Sequence, residues 1–145
     1  MEIEIVLAEA LSEALTFLET TVRDGAPVPE AFAAELRASV ERGGTEVFVA
    51  RLDGHVVGVA VLDYRLNVSV GGFFASIEEV QVGPEARHRG VGRALIEAAV
   101  RRCAGRGVFY IEVQTDDAAV DFYKACGFEP ESEVRVLSLS VPPFV

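Results

Sequence analysis

Apolar residues return along this chain with two periods, and the alternation between those periods lays out the elements. Leu7, Leu11, Leu15, Leu18 and Val22 recur at helical spacing, which predicts an amphipathic helix over 8–23 behind a short strand at 2–6 carrying Ile3 and Ile5. Asp24-Gly25-Ala26-Pro27 reads as a turn, and Pro29 suits the first position of a second helix, with Phe32, Leu36 and Val40 on one face and Gly43 past its end. Residues 45–51 are strand-like, Asp53-Gly54 is a hairpin signal, and 55–64 reads as the return strand. A polar, flexible loop is predicted over 65–72, before a central strand at 73–82. The pattern then turns helical: Val91, Ala94, Leu95, Ala98 and Ala99 form the stripe of a helix over 90–105 lying on a sheet. A strand follows at 108–114. Asp116 or Asp117 can cap the next helix, whose buried face is Ala119, Phe122, Tyr123 and Cys126 and whose end is closed by Gly127 and Phe128 in a Schellman turn. Val134, Val136, Leu137 and Leu139 read as a last strand, stopped by Pro142-Pro143. Strand, helix, strand in that order implies a right-handed parallel crossover. The expected fold is therefore α/β, a mixed sheet with helices on both faces, in one domain spanning 1–145.

The turn between the central strand and its helix carries the first chemistry. After Gly83-Pro84 the chain reads Arg87-His88-Arg89-Gly90-Val91-Gly92-Arg93. Gly90 and Gly92 leave the first-turn N–H groups sterically open, and those groups have no partners inside the helix. Such a terminus binds phosphate through backbone donors and the positive end of the helix dipole.

Charge sharpens that picture. The chain has 145 residues and a net charge of −10, which argues against nucleic acid as the main partner. Only residues 85–110 reverse the sign, with Glu85 and Glu97 against six arginines. An acidic protein has gathered its cations around one glycine turn, as a polyanionic cofactor requires. Arg87, Arg89 and Arg93 fit the phosphate reading; for Arg101, Arg102 and Arg106 a solvated helix face is the expectation. The longest apolar run, 56–62, is far short of the roughly 20 residues of a membrane span, and the acidic N-terminus does not suit a signal peptide. Cys103 and Cys126 have no metal-ligand spacing, so no metal site, a reduced state and a cytoplasmic location are expected.

Arg87-x-x-Gly90-x-Gly92 behind a strand ending in Val82 resembles the acyl-CoA pyrophosphate loop of the GNAT (GCN5-related N-acetyltransferase) superfamily. Ala119-Val120-Asp121-Phe122-Tyr123-Lys124-Ala125-Cys126-Gly127-Phe128 is similar to that family's A-x-x-F-Y-x-x-x-G-F segment. The resemblance implies a GNAT-like fold, acetyl-CoA as cofactor and transfer of its acetyl group to an amine. It implies a cofactor-binding set of Val80, Val82, Arg87, His88, Arg89, Gly90, Val91, Gly92, Arg93, Asp116, Phe122 and Tyr123. Val82 would contribute through its backbone N–H, an oxyanion donor to the thioester carbonyl. Tyr123 would protonate the departing thiolate. Asp116 stands where the family usually has asparagine.

Glu78 and Glu79 interrupt the apolar central strand, and buried carboxylates are costly unless paired or functional. An ammonium must lose a proton before it attacks a thioester, so a carboxylate in the cleft suits a general base. Family resemblance places the base at Glu78 slightly ahead of Glu79. The expected acceptor is a small amine, with no nucleic acid or membrane as partner; the C-terminal Val141-Pro142-Pro143-Phe144-Val145 suits packing on a partner subunit in a homodimer. Rival readings are an acyl-CoA-binding sensor without turnover and a protein-acetylating partner domain.

Overall fold

Residues 55–67 form the strand around which the sheet is built, because both of its faces are apolar. We describe residues 3–9 and 11–143 from a computed structural model. They include five strands, β1 (Glu4–Leu7), β2 (Thr45–Leu52), β3 (His55–Asn67), β4 (Gly72–Val82) and β5 (Ile111–Val113). Four α-helices are α1 (Leu11–Val22), α2 (Glu30–Glu41), α3 (Val91–Gly105) and α4 (Val120–Ala125). The strands lie in the order β1-β2-β3-β4-β5; every neighbouring pair is antiparallel except β4–β5, which is parallel. The mixed sheet read from the sequence is thus present, and α3 makes the crossover.

The two faces of β3 take different helices. Val59 and Val61 pack with Val47, Val49 and Ala14 beneath Leu11, Phe17 and Leu18 of α1 and Val40 of α2. Gly58 belongs to the other face: a Cβ there would stand 2.9 Å from Val91 Cγ1 and 3.1 Å from Leu95 Cδ1, so only glycine lets α3 come this close. Val91, Leu95, Ile96, Ala99 and Cys103 form the buried stripe of α3. Asp53 and Gly54 both take positive φ (51° and 79°), the tight hairpin that their sequence signals.

Several expectations need correction. The helix predicted over 8–23 begins at Leu11, Val22 is exposed, and Pro29 stands one residue before α2 rather than inside it. α2 buries no residue fully, and Phe32 is half exposed. Instead of a loop over 65–72, β3 runs on to Asn67 and a four-residue turn leads into β4, because Leu66 and Phe73 still pair across the ladder. The strand over 108–114 shortens to Ile111–Val113. No strand forms around Val134, Val136, Leu137 and Leu139. Phe144 and Val145 of the proposed subunit contact lie outside the described residues.

The chain divides into two compact units at Thr115 and Asp116. In the second, Asp116 accepts from Ala119 N at 3.0 Å and opens a short 3-10 turn that leads into α4. Gly127 N donates to Lys124 O and Phe128 N to Tyr123 O, both at 3.0 Å, which is the Schellman close read from the sequence. Among the described residues, no helix is long and apolar enough to cross a membrane.

Candidate active site

A β-bulge sets the geometry of β4. Ile77 pairs with Leu62 and Glu79 with Val61, which leaves Glu78 as the extra residue. Pairing with β5 covers only Ala75, Ser76 and Ile77, so it ends one residue before the bulge. Ala75 N donates to Tyr110 O ahead of β5, while Gly83 N donates to Val57 O on β3. Alternation along the strand then turns the N–H groups of Val80 and Val82 away from β3. Among the described residues no strand lies across them. The extra residue matters here: without it, the same sequence would aim Val82 N–H into the ladder with β3.

The loop after β4 folds back over this end. Arg87 Nε donates to Val82 O at 3.4 Å. Ala86 is buried, whereas Arg87, His88, Arg89 and Gly90 are exposed. His88 and Gly90 take positive φ (63° and 81°), a strained choice for histidine, and Gly90 is the residue that enters α3. No side chain among the described residues caps α3 there, and a Cβ on Gly90 would meet nothing within 4 Å. Open donors, exposed arginines and empty space fit a pyrophosphate. Arg93 also forms an i,i+4 ion pair with Glu97 at 3.1 Å.

The two glutamates take up different contacts. Glu79 faces the α1/α2 side with Gln81, whose Nε2 donates to it at 3.2 Å. Glu78 accepts from Arg65 in a close ion pair across the β3–β4 ladder. Sequence reasoning missed Arg65, since it assigned the residue to a loop; continued alternation through Tyr64-Arg65-Leu66-Asn67 was the available signal. Tyr123 belongs to the second unit, where its ring meets Phe122 at 5.0 Å and Phe128 at 5.6 Å, both edge to face. Its packing there is that of a core aromatic.

Arg102 and Arg106 are not a solvated face. The buried Glu46 carboxylate accepts from Arg102 Nε at 2.8 Å and from the Tyr64 hydroxyl, with Arg106 Nη1 at 3.5 Å. The Arg106 guanidinium also stacks 3.8 Å above the Tyr64 ring. Burial alone would push the Glu46 carboxyl up, but the hydrogen bonds from Arg102 and Tyr64 and the two guanidinium charges hold it below the usual range. Burial and the Glu46 carboxylate push the Tyr64 hydroxyl up, and burial raises the Cys103 thiol beside it. This cluster ties β2 and β3 to the last turns of α3, away from the Arg87–Gly92 loop. A separate groove of about 560 Å³ runs along the polar side of α1, past His55, to Gly83, Pro84 and Glu85, and includes neither Glu78 nor Glu79.

Comparison with known proteins gives the family. The model of the Acetyltransferase (GNAT) family matches residues 8–128. GCN5-related N-acetyltransferase 2, chloroplastic, of Arabidopsis thaliana is 41% identical over 61 residues, 42% of this chain and 24% of that relative's length. Aminoglycoside N(6')-acetyltransferase type 1 of Klebsiella aerogenes is 33% identical over 105 residues, 69% of each chain. The crystal structure of a Trypanosoma brucei acetyltransferase superposes with a TM-score of 0.78 at 25% identity, covering 95% of this chain and 100% of that one. Loop, sheet and family match coincide on one stretch of chain, and the chain belongs to the acetyltransferase (GNAT) family.

Proposed function

We propose that the chain is an acetyl-CoA-dependent N-acetyltransferase that acetylates a small primary amine by direct attack in a ternary complex. One observation carries the reading: the uncapped N-terminus of α3 comes one short loop after the stretch of β4 whose outward N–H groups face no strand among the described residues. Gly90, Val91, Gly92 and Arg93 would hold the pyrophosphate through main-chain donors, with Arg87, His88 and Arg89 around it. When bound, acetyl-CoA supplies an acyl thioester. Val82 N–H is the donor for its carbonyl oxygen, a contribution of about 3 kcal/mol when preorganised; Val80 lines the same edge.

The base is a carboxylate on β4. Arg65 engages Glu78 and holds its carboxylate against β3. Glu79 has a neutral amide for a partner, which favours Glu79 and reverses the preference drawn from sequence. It would take the ammonium proton directly or through a water. For the leaving thiolate the reading keeps Tyr123 as acid, with Phe122 and Asp116 toward the cofactor, on family resemblance. The small-amine acceptor follows the Klebsiella relative's name and the acidic balance of the chain.

Thiol release from acetyl-CoA, followed over a panel of polyamines, aminoglycosides, amino sugars and lysine peptides, tests the reading. Turnover with a small amine is expected. Arg87→Ala combined with Gly90→Asp should weaken CoA binding at least tenfold by calorimetry in a folded protein. Unchanged affinity would remove the loop from the cofactor site; tight CoA binding without turnover on any amine would point to a sensor.

A further inference from the structure

The groove along the polar side of α1 stands apart from both glutamates of β4. Its lining comes from α1, from the β2–β3 hairpin and from the turn that follows β4. A volume of about 560 Å³ suits a small organic molecule. Phe17 and Val56 pack against the cluster of Val47, Val49 and Val59, and the surface they leave uncovered lines the groove together with Pro84. Part of the wall is therefore apolar.

Charge narrows what the groove can hold. Glu13, Glu85 and His55 line it, and no lysine or arginine does. Glu13 is already engaged: Arg51 donates from Nη2 to Oε1 at 2.8 Å and from Nη1 to Oε2 at 3.1 Å. Glu85 has no ion pair or side-chain hydrogen bond among the described residues. Although the residue is exposed, its carboxylate folds back over Gly83. A Cβ on Gly83 would stand 2.7 Å from Oε1 and 3.1 Å from Oε2. Gly83 itself has φ −60° and ψ 145°, extended backbone that any residue adopts, and one that suits a position before proline. What the missing side chain provides is room for the carboxylate.

We propose that this groove binds a small organic ammonium, whose cation pairs with Glu85 and whose apolar body lies against Phe17, Val56 and Pro84. Gly83 keeps the carboxylate in place. An unengaged carboxylate beside apolar surface attracts an amine with a hydrocarbon portion, and the same charge repels an anion of equal shape. The groove includes neither Glu78 nor Glu79, and the proposal is independent of acetyl transfer.

Amide chemical shifts of the full chain at pH 7, without CoA, test it by titration with 2-phenylethylamine, 2-phenylethanol and 3-phenylpropanoate. The three share one body and differ in charge. The amine should shift amides of 12–21, 54–56, 83 and 85 together; the alcohol should bind there about tenfold more weakly, and the acid not at all. Glu85→Gln should bring the amine down to the alcohol. Gly83→Ala keeps the charge but displaces it, and should do the same while leaving the alcohol unchanged. Amides of β2 and β3 report whether each variant is folded; should one misfold, the wild-type series with the other variant decides. An amine that shifts 79–82 instead overturns the proposal and puts the ligand at the β4 glutamates. So does equal binding of amine and alcohol, full amine affinity in Glu85→Gln, or no binding by the wild type.

Discussion

Arg65 separates two adjacent carboxylates that sequence position alone leaves equivalent. Its guanidinium fixes Glu78 against β3, while Glu79 keeps a neutral partner in Gln81. Glu79→Gln should therefore lower kcat about 100-fold near neutral pH, within the usual range for a general base, and higher pH should partly restore it as free amine accumulates. Glu78→Gln should do much less. Tyr123→Phe keeps the ring against Phe122 and Phe128, so CoA affinity should hold while kcat falls by about two orders of magnitude and any alkaline limb disappears. Steady-state pH profiles of the three variants check this series. Equal, near-silent glutamate variants would leave a water chain or a main-chain carbonyl as base, and a wild-type profile for the phenylalanine enzyme would make Tyr123 a packing residue only.

At the scale of elements, what could be read depended on whether the physics was local. The Asp53-Gly54 hairpin and the Schellman turn at Gly127 are written in near neighbours, and both formed where expected. The fate of Arg102 and Arg106 was not, because a helix face looks solvated until a distant Glu46 meets it. That anchor has a measurable consequence. The Glu46 carboxyl titrates below its ordinary 4.5 in the folded chain, so its stabilisation is fully present above 4.5 and is lost as pH falls through the lowered value. Glu46→Gln should cost about 2 kcal/mol at pH 7, since the arginines left behind can still reach water. The gap to wild type should narrow at a pH well below 4.5. Urea unfolding at the two pH values is the check, and a gap that persists in acid would mean that the glutamine disturbs packing rather than charge.

For the molecule as a whole, the Arg87–Gly92 pattern made the proposed phosphate loop readable, but the opening beside it was not, since no residue type announces a bulge. The consequence of that bulge is one of counting. One glutamate of the Glu78-Glu79 pair can be removed, either giving the same chain, without moving any later side chain to the opposite face, because Glu79 already stands opposite Val61. Loss of Gln81 instead would swing Val82 round into the β3 ladder. A chain lacking Glu78 should thus fold and melt near wild type, its straightened β4 zipping onward along Gln114 and Thr115. The cleft would close with it: CoA binding should vanish, and the amides of Val80 and Val82 should become slow to exchange. Retained CoA affinity in that deletion would show that the opening does not depend on the extra residue. Most one-residue losses inside a strand destroy a protein and its activity together; at this position they should part company.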